Sequence, residues 1–447
     1  MRRAVTPLLA VTVALVLADS AIVTLALPDI IRHLDASVTA AAWVLIAFNL
    51  VLGLSVVPTA VLLGRGRART ASAVGIALFA GSSAWCAVAG SVEVLIAARC
   101  LQALGGALAV VGCLELLVAE RGVRRGVGTW VSAGVTGTAV GPFAGGLLTQ
   151  VFSWQAIFVV QVPVAALAVA AALLALGPAI PPPDRHRPAL RPNLTLALMS
   201  AALTAALFLL VLLLVEGWRR SPGAAALTVS VVPLAALAAR PLARLLRPPV
   251  EVEVGVGCFL VAGGLTGLAI LPSAELAWTI APQALVGLGL GLTVDQLTSQ
   301  AMHLREPLAR HAAWTIAARH LGVVVGLAIL TPVFTADLLD AQVPAQEAIT
   351  SLVLDAPLLP EDKIAVARAL GDELAGQEGK VPDLGAAFDR LALEPSERPA
   401  ATALERDLTA QLERAATRAF RDSFLVGAGL ALLALVVVVA PGTRRHA

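Results

Sequence analysis

Twelve separate stretches of about 20 residues are almost entirely apolar, and no other feature narrows the fold of this chain so far. A run of that length crosses the hydrocarbon core of a bilayer as a helix, because a helix satisfies its own backbone hydrogen bonds where water is absent. The runs lie at roughly 5–30, 41–63, 71–90, 94–118, 127–150, 155–177, 193–215, 223–239, 254–272, 276–300, 312–336 and 420–440. They are too long for strands and do not alternate. They also explain the composition: of 447 residues, 58% are hydrophobic and 14% charged, with a mean hydropathy of +0.86. That is far too apolar for a water-soluble globule, so the expected fold class is an all-α polytopic membrane protein. The opening MRRAVTPLLAVTVALVLADSAIV looks like a secretory leader, but its apolar run continues to about Ile31 and contains Asp19, which makes it a first span.

Arginines orient the spans. Connections on one side carry Arg65, Arg67 and Arg69, then Arg121, Arg124 and Arg125, then Arg185, Arg187 and Arg191, then Arg240, Arg244 and Arg247, then Arg305 and Arg310. The short connections on the other side carry only Arg32, Arg219 and Arg220. With Arg2, Arg3, Arg444 and Arg445 at the ends, this bias places both termini in the cytoplasm of a cell whose plasma membrane holds the chain.

The Pro- and Arg-rich GPAIPPPDRHRPALRPN reads as a linker between two six-helix bundles around a central cavity. The expected division is a first bundle at 1–178, a cytoplasmic linker at 179–192 and a second bundle at 193–447. Residues 337–419 form a long extracytoplasmic loop between the last two spans. Residues 337–422 hold 9 Lys+Arg against 17 Asp+Glu, a net −8 that leaves +10 for the rest. Amphipathic pieces in the loop, such as EDKIAVARALGDELAGQ and ATALERDLTAQLERAATRAF, are broken by Pro344, Pro360, Pro382, Pro395 and Pro399 and favour folded helices, a possible dock for a protein partner.

Charges within a bilayer cost several kcal/mol unless partnered or hydrated, so each is a functional candidate. Asp19 sits near the middle of the first span, where a carboxyl group facing a cavity can carry a proton; a static interhelix hydrogen bond is the alternative. Arg99 enters the fourth span about 6 residues from its outer end, roughly 9 Å deep. It can snorkel outward or turn inward to tune a carboxylate. Glu115 and Asp295 lie toward the cytoplasmic ends of the fourth and tenth spans, and Arg319 about two turns into the eleventh. Asp295 and Arg319 are placed to pair across neighbouring helices or to line a substrate cavity, with Gln102 as a further cavity candidate. His320 reads as a packed histidine. Cys86, Cys100, Cys113 and Cys258 lie in apolar runs without metal-ligand or disulfide spacing, and no phosphate loop or nucleophile constellation appears. No enzyme activity, metal, cofactor or nucleic-acid partner is therefore expected.

The stretch VGPFAGG, Val140 to Gly146, puts proline and glycine inside a span. Gly137, Gly141 and Gly145 recur every four residues, forming a ridge without side chains against which a second helix can close. Pro142 bends the helix and frees a carbonyl, so this span belongs against protein or a cavity, at the seam between the bundles. Gly146 completes the motif.

Several of these residues, in this order, resemble the drug:proton antiporter branch of the major facilitator superfamily. DSAIVTLALPDI, starting at Asp19, resembles its first-span signature, and WVLIAFNLVLGLSVVP its second span. Arg99, Gln102 and Gly105 match R-x-x-Q-x-x-G. Gly137 to Gly146 match the antiporter motif G-x-x-x-G-P-x-x-G-G throughout. SWQAIFVVQVPV resembles W-x-x-I-F-x-x-N-x-P with Gln161 for Asn, and ARHLGVVVGLA resembles R-Q-x-G-x-x-x-G-x-A with His320 for Gln. The chain departs from the pattern in having AVLLGRGRAR after the second span without the usual aspartate, and twelve spans where many relatives have fourteen.

The resemblance implies a monomeric proton-coupled exporter of lipophilic small molecules that uses the proton gradient, with Asp19 and Arg99 in proton coupling. With no Tyr and 4% aromatic residues, an aliphatic cavity is expected. Two alternatives stay open: export of lipids or an apolar natural product aided by the outer loop, and a non-transporting scaffold or receptor.

Overall fold

In the computed structural model, residues 2–63, 67–177, 186–246, 248–303, 305–375, 384, 388 and 396–440 are described. Arg65, Arg185, Arg247, Arg444, Arg445, Pro382 and Pro395 lie outside these residues, as do 178 and 179–185 of the linker.

Each apolar run forms a helix. The first six spans are α1 (Arg2–His33), α2 (Val38–Leu63), α3 (Ala68–Ala87), α4 (Val92–Arg121), α5 (Val123–Val151) and α6 (Ala156–Leu174). There follow α7 (Leu190–Gly217), α8 (Pro222–Leu245), α9 (Val250–Ala269), α10 (Leu276–Met302) and α11 (Leu308–Asp355). Two further helices, α12 (Pro360–Ala375) and α13 (Arg398–Ala419), lead into the last span, α14 (Arg421–Val439).

The boundaries follow from local chemistry. Ser91 Oγ accepts the Val94 amide to cap α4, and Ser221 does the same for Ala224 ahead of Pro222, whose missing N–H costs nothing in a first turn. Gly122 turns the chain between α4 and α5 at φ 75°, a conformation that glycine adopts without strain. Within α7, Ala205–Leu209 and Leu213–Gly217 are π-helical, a widening that recurs near functional sites.

The packing repeats with an offset of six spans. Helix α1 packs on α5 as α7 packs on α11. The pairs α2 and α4, α3 and α4, and α3 and α6 likewise correspond to α8 and α10, α9 and α10, and α9 and α14. The two sets meet where α2 runs along α11 and where α5 meets α8, contacts that the same repeat exchanges. Apolar burial cannot drive helices together in lipid, so close approach matters. A Cβ on Gly137 or Gly145 would collide with the Ala14 or Ile22 backbone of α1, and one on Gly322 with that of Ala197 in α7. Outward-facing side chains such as Leu54, Leu234, Phe259 and Val436 leave an apolar exterior suited to lipid.

Helix α11 runs well past its span, and its end joins α12 and α13 around a small core of Ile349, Val353, Val366, Leu370, Leu404 and Leu408. This end of the molecule is called the far end below, and the end where α1 starts the near end.

Candidate functional site

Asp19, on α1, and Arg99, on α4, are wholly buried and form an ion pair through Arg99 Nη1 and Asp19 Oδ2. The other carboxylate oxygen accepts from Gln161 Nε2 of α6 at 2.9 Å. Three residues are less than a full helical turn, so Gln102 stands beside Arg99 and its Oε1 accepts from Arg99 Nη1 at 2.6 Å. Gln102 Nε2 donates to Ser83 Oγ at 2.8 Å and to Gln161 Oε1 at 2.9 Å, closing a ring of polar groups among α1, α3, α4 and α6. The guanidinium lies 4.0 Å from the Phe48 ring centre and 5.8 Å from that of Phe158, faces that attract a cation. Arg99 Nη2 has no hydrogen-bond partner among the described residues. Such a pair survives burial because charge, donors and ring faces compensate the lost hydration together.

A second polar thread starts at the next residue. Ser20 Oγ donates to Asn49 Oδ1 at 3.2 Å, and His320 Nδ1 lies 2.7 Å from that same oxygen. An amide oxygen only accepts, so in this arrangement Nδ1 carries the imidazole proton. Asn49 on α2 thereby links α1 of the first set to α11 of the second.

Two adjoining cavities lie between the sets. One, with about 660 Å³ of empty space, is bordered by Ser20, Asn49, Phe208, Arg319 and His320 among others. The other, about 720 Å³, lies between α5 and α8 and reaches Arg240 and Asp295 toward the near end. Thr138, Leu203, Leu207 and Arg319 border both. Asp295 is ion-paired with Arg240. The remaining walls are mostly aliphatic, and Phe208 and the His320 imidazole supply the rings. On its other flank α5 packs against the far-end part of α8, Pro222–Val229, and much less against Val231–Leu246, so the two helices separate toward the near end.

Of the residues singled out from sequence, Asp19, Arg99 and Gln102 come together, while Asp295 and Arg319 border the cavities. Gln102 belongs to the buried ring, not to a cavity wall. Glu115 is half-buried on α4 and borders neither cavity. The Asp295 partner is Arg240, not Arg319, because α8 carries Arg240 inside the bundle although it reads as a connection residue. Asp19 lies one layer behind the cavity, which Ser20 reaches. The Gly137, Gly141 and Gly145 ridge faces α1 of its own set, and a Cβ at Gly146 would meet Ala226 of α8 across the seam. Pro142 borders the larger cavity. All four cysteines are unpaired. Ser20, Asn49, Ser83 and Arg240 were not singled out; the signal available was an amide, hydroxyls and an arginine inside or beside otherwise apolar runs.

Twelve spans in two repeating sets, with buried charge and cavities between them, define a secondary transporter architecture. The chain belongs to the Major Facilitator Superfamily, whose family model matches residues 9–327. It is 36% identical over 170 residues to the tetracenomycin C resistance and export protein of Streptomyces glaucescens, covering 37% of this chain and 32% of that one. It is 34% identical over 181 residues to the multidrug efflux pump LfrA of Mycolicibacterium smegmatis, covering 40% and 35%. The aligned segments thus span about a third of these relatives. Among solved structures, it resembles a bacterial homolog of the human lysosomal transporter Spinster in an inward-facing, occupied conformation. The TM-score is 0.63 at 16% identity, over 97% of this chain and 96% of the other. That likeness concerns fold alone.

Proposed function

We propose that the chain is a proton-driven exporter of lipophilic small molecules that works by alternating access in the plasma membrane. The observation that carries this reading is the buried Asp19–Arg99 pair, one residue from the thread through Ser20, Asn49 and His320 to cavities bordered by both sets of helices. Protonation of Asp19 would release Arg99 and alter how α1 sits against α4 and α6. A proton and a substrate drive opposite movements only if each favours a different conformation. The resistance and efflux proteins aligned above support an export direction. The arginine bias supports cytoplasmic termini, which makes the near end cytoplasmic and the far-end helices extracytoplasmic. In this reading the chain acts as a monomer of two bundles, 1–178 and 193–447, joined by a linker at 179–192. The far-end segment 337–419, acidic as a whole, is where a partner protein would dock.

The test uses inverted vesicles with an imposed pH gradient and a panel of lipophilic drugs. Asp19→Asn is expected to abolish gradient-driven uptake while the purified protein keeps its elution profile. Uptake that persists in this variant removes Asp19 from the coupling role. A lipid exporter is the second reading, favoured by the separation of α5 from α8 beside the larger cavity; labelled phospholipid in the same vesicles separates the two.

A further inference from the structure

We infer that the cavity between the two helix sets selects lipophilic molecules bearing an acidic head, and that Arg319 is the residue that binds that head. This rests on the export reading for its physiological meaning, but the binding it requires is measured without transport.

The charges facing the cavities decide the sign. Arg319 borders both, and among the described residues it makes neither a hydrogen bond nor an ion pair within bonding distance. Asp295 acts on it electrostatically, yet that carboxylate is committed to Arg240. Asp19, the other acid close by, is wholly buried behind the cavity wall and held by Arg99 and Gln161. Glu253, next to α10, accepts from Gln296 Nε2 at 2.9 Å and borders neither cavity. His320 already engages Asn49. The cavity therefore presents two guanidinium groups against one carboxylate, and the unmatched charge is positive.

A guanidinium among aliphatic side chains loses hydration that only an acceptor can replace. A planar carboxylate, or an acidic enol or phenol of similar geometry, matches its donor fork, with the apolar body of the molecule lying against Leu203, Leu207, Val232 and Leu290. A lipophilic cation meets repulsion at the same place. It also finds no aromatic cage to offset it, since among the described residues Phe208 is the one benzene ring on these walls.

The test is fluorescence titration of the purified full-length protein in detergent with dansyl-undecanoic acid, its methyl ester and the corresponding dansyl-alkylamine, three probes with one apolar body. The acid is expected to bind about ten- to a hundredfold more tightly than the ester, the amount a charge-assisted hydrogen bond provides. The amine is expected to bind more weakly than the ester. Arg319→Gln should erase the advantage of the acid and leave ester binding in place, which also reports that the variant is folded; Arg319→Lys should restore part of it. Equal binding of the three probes to the wild type, or tighter binding of the amine, overturns the inference without any variant. So does an undiminished preference for the acid in Arg319→Gln. Loss of proton-driven uptake with intact acid preference would instead fault the export reading.

Discussion

Replacing Arg99 by methionine removes the charge that holds Asp19 while keeping a side chain of similar length in its slot. Asp19 has two side-chain donors, Arg99 Nη1 and Gln161 Nε2, and the variant keeps only the second. Stranding one member of a buried ion pair costs about 3–5 kcal/mol. Loss of the Gln102 bond and of the Phe48 face, 4.0 Å from the guanidinium, adds about 1–2 kcal/mol. Asp19→Asn strands the guanidinium instead, at a similar cost of about 3–5 kcal/mol. Making both changes removes two charges at once, and replacing a buried pair by neutral groups is often without net cost. The double variant is therefore expected to lose only the about 1–2 kcal/mol of the Gln102 bond and the Phe48 face, a recovery of about 6–10 kcal/mol against the sum of the single effects. At roughly 1–2 °C per kcal/mol for a chain of this length, Asp19→Asn melts about 3–10 °C lower and Arg99→Met about 4–14 °C lower, and the double variant, lowered by about 1–4 °C, melts above both. The assay is thermal unfolding of all four proteins in one detergent, with the fraction remaining in the monodisperse peak as a second readout. Additive losses in the double variant would mean that the two residues are not one energetic unit, and the reasoning from the closed pair would fail.

The α1–α5 contact gives a sharper contrast. A Cβ at Gly137 would collide with the Ala14 carbonyl, whereas nothing lies within 4 Å of one at Gly128. Gly137→Val is expected to cost about 1–3 kcal/mol or more, and Gly128→Ala to be neutral or to stabilise by up to about 1 kcal/mol; melting temperatures in the same detergent check both. Asn49→Leu leaves Ser20 and His320 without their shared acceptor, which costs about 1–3 kcal/mol. Substrate-dependent proton flux in proteoliposomes is expected to fall far more than this modest loss of stability accounts for, and unchanged flux would take Asn49 out of the link between the two sets.

The twelve spans were legible because a bilayer demands about 20 apolar residues from each, a demand that hydropathy reads directly. The ends were less legible. The eighth apolar run ends at about 239, yet the helix continues through Pro241, and Arg240 goes into the bundle with it. A helix tolerates proline where neighbours take up the freed carbonyl, and neighbours are a tertiary property that no local window contains.

The site divides in the same way. Asp19 and Arg99 stood out as charges inside apolar runs, and the spacing of Arg99 and Gln102 already put one beside the other on a helix face. Their meeting across 80 positions depends on how α1 crosses α4, which hydropathy does not specify. The same applies to Asp295: two arginines were within reach of it in principle, on α8 and α11, and helix packing assigned it to the one that the hydropathy boundary had placed outside the span. Asn49 carries no charge and sits among leucines and valines, so a scale built on transfer energies passes over it, although an amide buried in that setting must find partners. Its partners come from both helix sets. Where a bundle has to respond to a proton in one half and a solute between the halves, a neutral amide spanning the seam is a physically economical link, because its oxygen can exchange donors without moving a charge through the bilayer.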